Sequence, residues 1–275
     1  MSDSTIAFIG GGNMAHSLVG GMIAGGRAAD SIWVADPFVD QLDTHRHRHA
    51  VHVTQENTEA AAHADVIVLA VKPQVLREAA SQIADIVNDR QPLVLSIAAG
   101  LREPDICRWL GGNAAVVRAM PNTPALIRCG ATVLYANDAV SGEQKTLAEE
   151  IMGAVGLTLW VDEEAHMDAV TATSGSGPAY FFHMMECMQA AAEELALPPE
   201  VARKLVLQTA LGAARMASEG EDDPATLRQN VTSPGGTTAA ALEVLKQEDL
   251  AGIMSKALTA ARDRSRSLSD EFGKL

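Results

Sequence analysis

Short apolar runs recur through the first half of the chain, at Ile6–Gly10, Ile32–Ala35, Val66–Val71, Leu93–Ile97, Ala115–Arg118, Ala131–Tyr135 and Thr158–Val161, with helix-period stretches between them. That alternation predicts an α/β domain whose strands form a doubly wound parallel sheet with crossover helices. The run Val66 to Val71 is apolar at every position, so it belongs at the sheet centre with both faces covered. From Glu163 the strand pattern stops. Helical stretches then follow at Tyr180–Leu195, Pro199–Ser218 and Leu250–Leu268, interrupted by the glycine-rich segments Ser174-Gly175-Ser176-Gly177-Pro178 and Ser233-Pro234-Gly235-Gly236-Thr237-Thr238. The expected division is an α/β domain over residues 1–162 and an all-helical domain over 163–275. In the helical half, the stretch from Val201 to Ala217 is apolar around much of its circumference, which points to burial against several neighbours and to a helix-to-helix dimer core.

Composition agrees with two packed domains. The 275 residues are 47% hydrophobic and 20% charged, but only 4% aromatic, so the core falls to Ala, Val, Leu, Ile and Met. A formal net charge of -14 opposes broad contact with nucleic acid or an anionic membrane, and an anionic ligand must be caught by local backbone dipoles. Cys107, Cys129 and Cys187 lack CxxC spacing and suggest neither a disulfide framework nor a zinc cluster. No secretory signal or membrane-spanning run is read, and a reducing cytoplasm is the expected compartment.

The first strand runs into Gly10-Gly11-Gly12-Asn13-Met14-Ala15, a GxGxxA loop, and then into a helix from about Met14 to Ala24. Gly10 permits the tight turn, Gly12 lets a pyrophosphate approach the backbone, and Ala15 allows close helix packing. The helix N-terminus then faces phosphate charge, so a nicotinamide dinucleotide is the expected cofactor. A bare strand-to-helix turn is the alternative. Asp36, ending the second strand, can accept from an adenosine ribose 2′-hydroxyl and repel a 2′-phosphate, which favours NADH over NADPH. The basic run His45-Arg46-His47-Arg48-His49 lies just beyond and reads as a solvated helix face; its i, i+4 histidines lack a carboxylate partner, so no metal is expected.

Ala70, Val71, Lys72 and Pro73 lie at the C-terminal end of a central strand, where ligands meet open α/β sheets. Lys72 is there either a ligand contact or an exposed loop lysine. Met120-Pro121-Asn122-Thr123-Pro124 follows another strand and reads as a rigid wall near the nicotinamide, or as a turn. In the helical half, Ser233 to Thr238 before a helix offers several backbone N–H donors and adjacent hydroxyls, a local anion trap. Taken alone, that segment is equally a helix-to-helix connection.

Five phrases, FIGGGNMA, AVKPQ, RAMPNTPA, SGSGPAY and NVTSPGGTT, occur in order across nearly the whole chain, and together they resemble the pyrroline-5-carboxylate reductases. The resemblance implies a Rossmann domain plus a helical dimerisation domain, forming homodimers or assemblies of dimers. It implies NAD(P)H-dependent reduction of 1-pyrroline-5-carboxylate to L-proline, at a site between the cofactor cleft and helices of a partner subunit. By motif, Ile9, Gly10, Gly11, Gly12, Asn13, Met14, Asn57, Ala70, Val71, Lys72 and Pro73 are similar to cofactor contacts, with Asn57 on the adenosine ribose. Ser233, Gly235, Gly236 and Thr237 resemble a carboxylate cradle, and Ser176 and Gly177 part of the pocket wall. Met120 and Asn122 are further candidates for contact with substrate. The hydroxyl at Thr238 is implied to hydrogen-bond the ring nitrogen, the catalytic position. Imine reduction needs no strong base, and the helix after SGSGP offers no lysine, whereas a hydroxyacid dehydrogenase requires a group to take the alcohol proton. His166 and His183 stay as possible acids. A reductase of the β-hydroxyacid dehydrogenase type and a non-catalytic NAD(P)-sensing protein are the competing readings.

Overall fold

Alternate residues of the first strand enter different cores: Ile6 and Phe8 join one apolar cluster, Ala7 and Ile9 another. A strand with period-two side chains that are apolar on both faces must lie between two layers of helices. The computed structural model describes residues 4–274, and in it this strand is central. The eight strands are β1 (Ile6–Ile9), β2 (Ile32–Ala35), β3 (His52–Thr54), β4 (Val66–Leu69), β5 (Leu93–Ser96), β6 (Ala115–Met120), β7 (Gly130–Ala136) and β8 (Gly156–Trp160). Their order in the sheet is β3-β2-β1-β4-β5-β6-β7-β8. β1 pairs in parallel with β2 on one side and β4 on the other, and the order reverses beside it. That reversal opens a crevice at the strands' C-terminal ends.

The doubly wound parallel sheet expected from the sequence is present, with one antiparallel pairing. β7 runs antiparallel to β6, with Val117 opposite Ala136. Residues 121–129, which join them, hold a single short turn of helix at Thr123–Ile127, too little chain for a parallel crossover of about a dozen residues or more. β8 then pairs in parallel with β7. β3, absent from the sequence reading, is a three-residue edge strand whose exposed His52 hides any apolar run.

The helices that follow are α1 (Asn13–Ala24), α2 (Val39–His49), α3 (Asn57–Ala62), α4 (Pro73–Arg90), α5 (Glu103–Trp109), α6 (Gly142–Gly153) and α7 (His166–Val170). α1 buries Ala15, Leu18, Val19 and Met22, one face at i, i+3, i+4, i+7 spacing, and α4 does the same with Leu76, Ala79, Ala80 and Ile83 on the opposite side of the sheet. Pro73 opens α4 where its missing N–H has no partner to lose.

α8 (Gly177–Glu194), α9 (Pro199–Glu219), α10 (Pro224–Asn230), α11 (Thr237–Gln247) and α12 (Leu250–Phe272) complete the chain. Strand gives way to helix near residues 162/163, where the sequence pattern changes, but compactness divides the chain elsewhere. One unit runs up to Ser176 and takes in the segment from Ala260 onward; the other is Gly177–Thr259. The reason lies in side-chain contacts of the first unit. Met167 and Ala172 are buried there, Ser265 Oγ donates to Asp168 Oδ1 at 2.7 Å, and Arg102 Nη2 pairs with Asp270 Oδ1 at 2.7 Å. Within the second unit α8 packs on α9. Among the described residues no helix is long and apolar enough to cross a membrane.

Candidate cofactor and substrate site

Gly10 crosses the gap between the ends of β2 and β4. Its N–H donates to the Ala35 carbonyl at 2.8 Å, while the Ile9 carbonyl accepts from Ala70 N–H at 2.8 Å. Its φ is +104°, and a Cβ there would sit 2.8 Å from the Ala70 carbonyl, so the turn demands glycine on two counts. Gly12 then caps α1 in extended conformation, without a side-chain cap and with no acidic residue in the helix's first turn. A Cβ on Gly12 would meet nothing within 4 Å. The N–H groups of Asn13 and Met14 thus face an open approach at the positive end of the helix dipole, which is the environment a pyrophosphate requires.

Asp36 is buried, and both of its carboxylate oxygens are anchored: Gly11 N–H donates to Oδ2 at 2.8 Å and Phe38 N–H to Oδ1 at 2.9 Å. Each oxygen keeps a lone pair for a further donor, such as a ribose hydroxyl. Beside it lies a cleft of about 680 Å³ lined by Gly10, Pro37, Phe38, Asn57, Val71 and Gln82 among others. Asn57 Nδ2 donates to Gln82 Oε1 at 2.7 Å across that cleft, and Phe38, 70% exposed, presents a flat apolar face. The residues present therefore fit a dinucleotide.

The sequence pattern puts His45 on a solvated face, and the structure corrects this: it is fully buried. Its Nε2 lies 3.0 Å from the Gly11 carbonyl, and its ring stacks on His16 of α1 at 3.5 Å between centroids and 7° between planes. Burial, then the neighbouring His16, push its pKa down to about 4. Burial likewise lowers His16 and His49. The signal in the chain is spacing, since His45 lies three residues beyond the buried Leu42 and shares its face of α2. Arg46, His47 and Arg48 are exposed as the pattern requires.

Of the other expected positions in this unit, Lys72 precedes α4 with its side chain exposed at the crevice rim. Asn122 Nδ2 donates to the Ser174 carbonyl at 3.0 Å, and its Oδ1 accepts from Ala131 N–H at 2.9 Å, so its amide braces the segment after β6. Ser176 N–H donates to the Thr171 carbonyl at 2.8 Å, closing a π-turn over Thr171–Gly175, and Gly175 lies against Met120. Met120, Asn122 and Ser176 thus share one wall.

In the second unit, Gly177 opens α8. Gly235 has φ +69°, and Gly236 N–H donates to the Ser233 carbonyl at 3.0 Å. Gly236 then caps α11, again with no side-chain cap and no acidic residue in the first turn. Among the described residues, the hydroxyls of Thr237 and Thr238 make no hydrogen bond. Donors left free at a helix N-terminus form an anion site of small size, suited to a carboxylate. His183, in contrast, is exposed and pairs with Glu186 at 3.0 Å.

Residues 164–268 match the family model for pyrroline-5-carboxylate reductase dimerisation, and residues 5–100 match that for NADP oxidoreductase, coenzyme F420-dependent. A pyrroline-5-carboxylate reductase of Pseudomonas aeruginosa is 48% identical over 273 residues, covering 99% of this chain and 100% of that protein. The chain belongs to the pyrroline-5-carboxylate reductase family. The solved pyrroline-5-carboxylate reductase of Coxiella burnetii superposes with a TM-score of 0.94 at 49% identity, over 98% of this chain and 99% of the other. The Plasmodium falciparum pyrroline carboxylate reductase, solved with NADP bound, gives 0.86 at 28% identity over 98% and 99%.

Proposed function

We propose that this chain transfers hydride from NAD(P)H to the C=N bond of 1-pyrroline-5-carboxylate, giving L-proline in the last step of proline biosynthesis. One observation supports the reading most: two glycine-rich loops each open a helix that has neither a side-chain cap nor an early acidic residue, α1 after Gly12 and α11 after Gly236. The first suits a pyrophosphate and the second a carboxylate. A bound nicotinamide dinucleotide supplies the hydride. Ile9 and the loop Gly10, Gly11, Gly12, Asn13 and Met14 would hold its pyrophosphate, Asp36 and Asn57 its adenosine ribose, and Ala70, Val71, Lys72 and Pro73 would make further contacts with it. NADH is the assigned donor, since Asp36 opposes a 2′-phosphate.

Ser233, Gly235, Gly236 and Thr237 take the substrate carboxylate, while Met120, Asn122, Ser176 and Gly177 wall the ring. Thr238 Oγ1 hydrogen-bonds the ring nitrogen and fixes the carbon for attack, donating to the neutral imine and accepting from its N–H once it is protonated, and the amine's new proton arrives with that protonated substrate. An imine nitrogen is basic enough to arrive partly protonated, so orientation outweighs acid–base power and no lysine is needed on α8. Thr238→Ala should lower kcat about 10- to 100-fold, the worth of one charge-assisted hydrogen bond, with the KM for NADH unchanged. Following NADH and NADPH oxidation with 1-pyrroline-5-carboxylate checks both statements. An absence of turnover with either cofactor overturns the function, and unaltered turnover in the variant removes Thr238 from its role.

Self-association is assigned to the helical unit, where Phe181, Phe182, Leu205 and Leu211 are exposed in one copy. A homodimer, alone or assembled with further dimers, covers such apolar side chains. The cytoplasm is the assigned compartment, in keeping with three free cysteines.

A further inference from the structure

We propose that His16, His45 and His49 bind a divalent transition metal ion of the zinc class, on the side of the cofactor loop away from the cleft lined by Pro37, Phe38 and Asn57. α1 contributes His16, and α2 contributes His45 and His49 one turn apart. One nitrogen from each ring lies within 4.8 Å of the other two, the one such group among the described residues. A tetrahedral zinc ion with bonds of about 2.0–2.1 Å brings its ligands to roughly 3.4 Å, so closure by up to about 1.4 Å completes the set.

The tautomer of His45 is fixed by its partner. A ring nitrogen facing the Gly11 carbonyl at 3.0 Å must carry the proton, which makes Nε2 the donor and leaves the Nδ1 lone pair free. That Nδ1 is buried and has no hydrogen-bond partner, and neither has Nδ1 of His16. Native interiors seldom leave such nitrogens orphaned, and two of them side by side ask for a shared partner. An imidazole that donates one N–H to a backbone carbonyl and offers the other nitrogen is the usual arrangement of a metal-ligating histidine. Gly20 completes the space: a Cβ there would press on His49 at 3.2 Å from Cε1.

Three neutral nitrogens and no carboxylate select zinc, nickel or copper over magnesium or calcium. The positive charge of Arg48, next to His49, opposes a cation here and lowers its affinity. The His16 and His45 rings stack 3.5 Å apart with planes at 7°, and one ion cannot lie in both ring planes, so the half-buried His16 must turn about its Cβ–Cγ bond to meet the ion, while Gly11 holds His45 in place. Ligation through His45 Nδ1 strengthens its Nε2–H as a donor and thereby stiffens Gly11.

Equilibrium dialysis of the metal-free, full-length protein against zinc chloride, with bound zinc measured by atomic emission, tests the site. One zinc per chain is expected, with affinity lowered at least about tenfold in His16→Gln and in His49→Gln and unchanged in His47→Gln, an exposed neighbour. Copper loaded in place of zinc should show nitrogen couplings in its electron paramagnetic resonance that the His16→Gln/His49→Gln double variant loses. Both substituted positions lie at the less buried edge of the cluster, and circular dichroism establishes that these variants fold. Absence of stoichiometric zinc at micromolar concentration, or equal binding by the folded double variant, overturns the proposal.

Discussion

Asp36 holds Gly11 with one carboxylate oxygen and Phe38 with the other, which fixes a negative charge beside the cleft lined by Pro37, Phe38 and Asn57. A 2′-phosphate there meets that charge at low dielectric, whereas a ribose hydroxyl meets a strong acceptor. The expected result is a larger kcat/KM with NADH than with NADPH. Asp36→Ser should move the ratio toward NADPH by about tenfold or more, and should also lower kcat/KM for NADH because the tie to Gly11 is lost. An unchanged ratio takes specificity away from Asp36. His45 sets a pH dependence of stability. Its pKa falls from an ordinary 6.5 to about 4 in the folded chain, so the unfolded chain takes up the proton first as pH drops. Stability is full above about pH 6.5 and is lost as pH falls from there toward about 4, by roughly 3 kcal/mol at most. Urea midpoints measured across this range should slope upward with pH, and His45→Gln should flatten the slope.

At the level of elements, the turn from β1 into α1 depends on Gly10. An alanine there would combine φ +104° with a Cβ 2.8 Å from the backbone of Ala70, so Gly10→Ala should destabilise by more than about 1 kcal/mol. It should also raise the KM for the dinucleotide while the KM for substrate changes little, since the anion trap at α11 lies in the other unit. Steady-state kinetics with each substrate varied separately checks the split. The glycine turn was legible in the sequence because a tight turn between an apolar strand and a helix is local chemistry. The inner face of α2 was not. Its charges and histidines mask a narrow buried stripe, Leu42 and His45, that becomes visible only when α1 supplies His16 as a neighbour. β3 escaped for a similar reason, since three residues at a sheet edge carry too little pattern to be read.

Across the whole molecule, the helical unit exposes Phe182 at 63% and Leu205 at 53%, surface that association between copies would cover. Phe182→Glu should weaken self-association by about 2 kcal/mol or more, and light scattering on the eluting protein should then report monomer. A dimer unaffected by the charge places the interface elsewhere. The sequence by itself determined the order of strand, loop and helix, the two glycine-rich helix starts, the cluster of positions around Gly10, Asp36 and Ala70 at one end of the sheet, and the helical character of the second half. These follow from hydrophobic period and from backbone conformations that few residues adopt, both of which are local. Only the tertiary structure decided that β7 turns antiparallel, that the chain from Ala260 returns to the first unit, and that His45 leaves solvent to stack on His16 beneath Gly11. Each of those depends on which distant residues meet, and a contact between distant residues leaves no period in the chain.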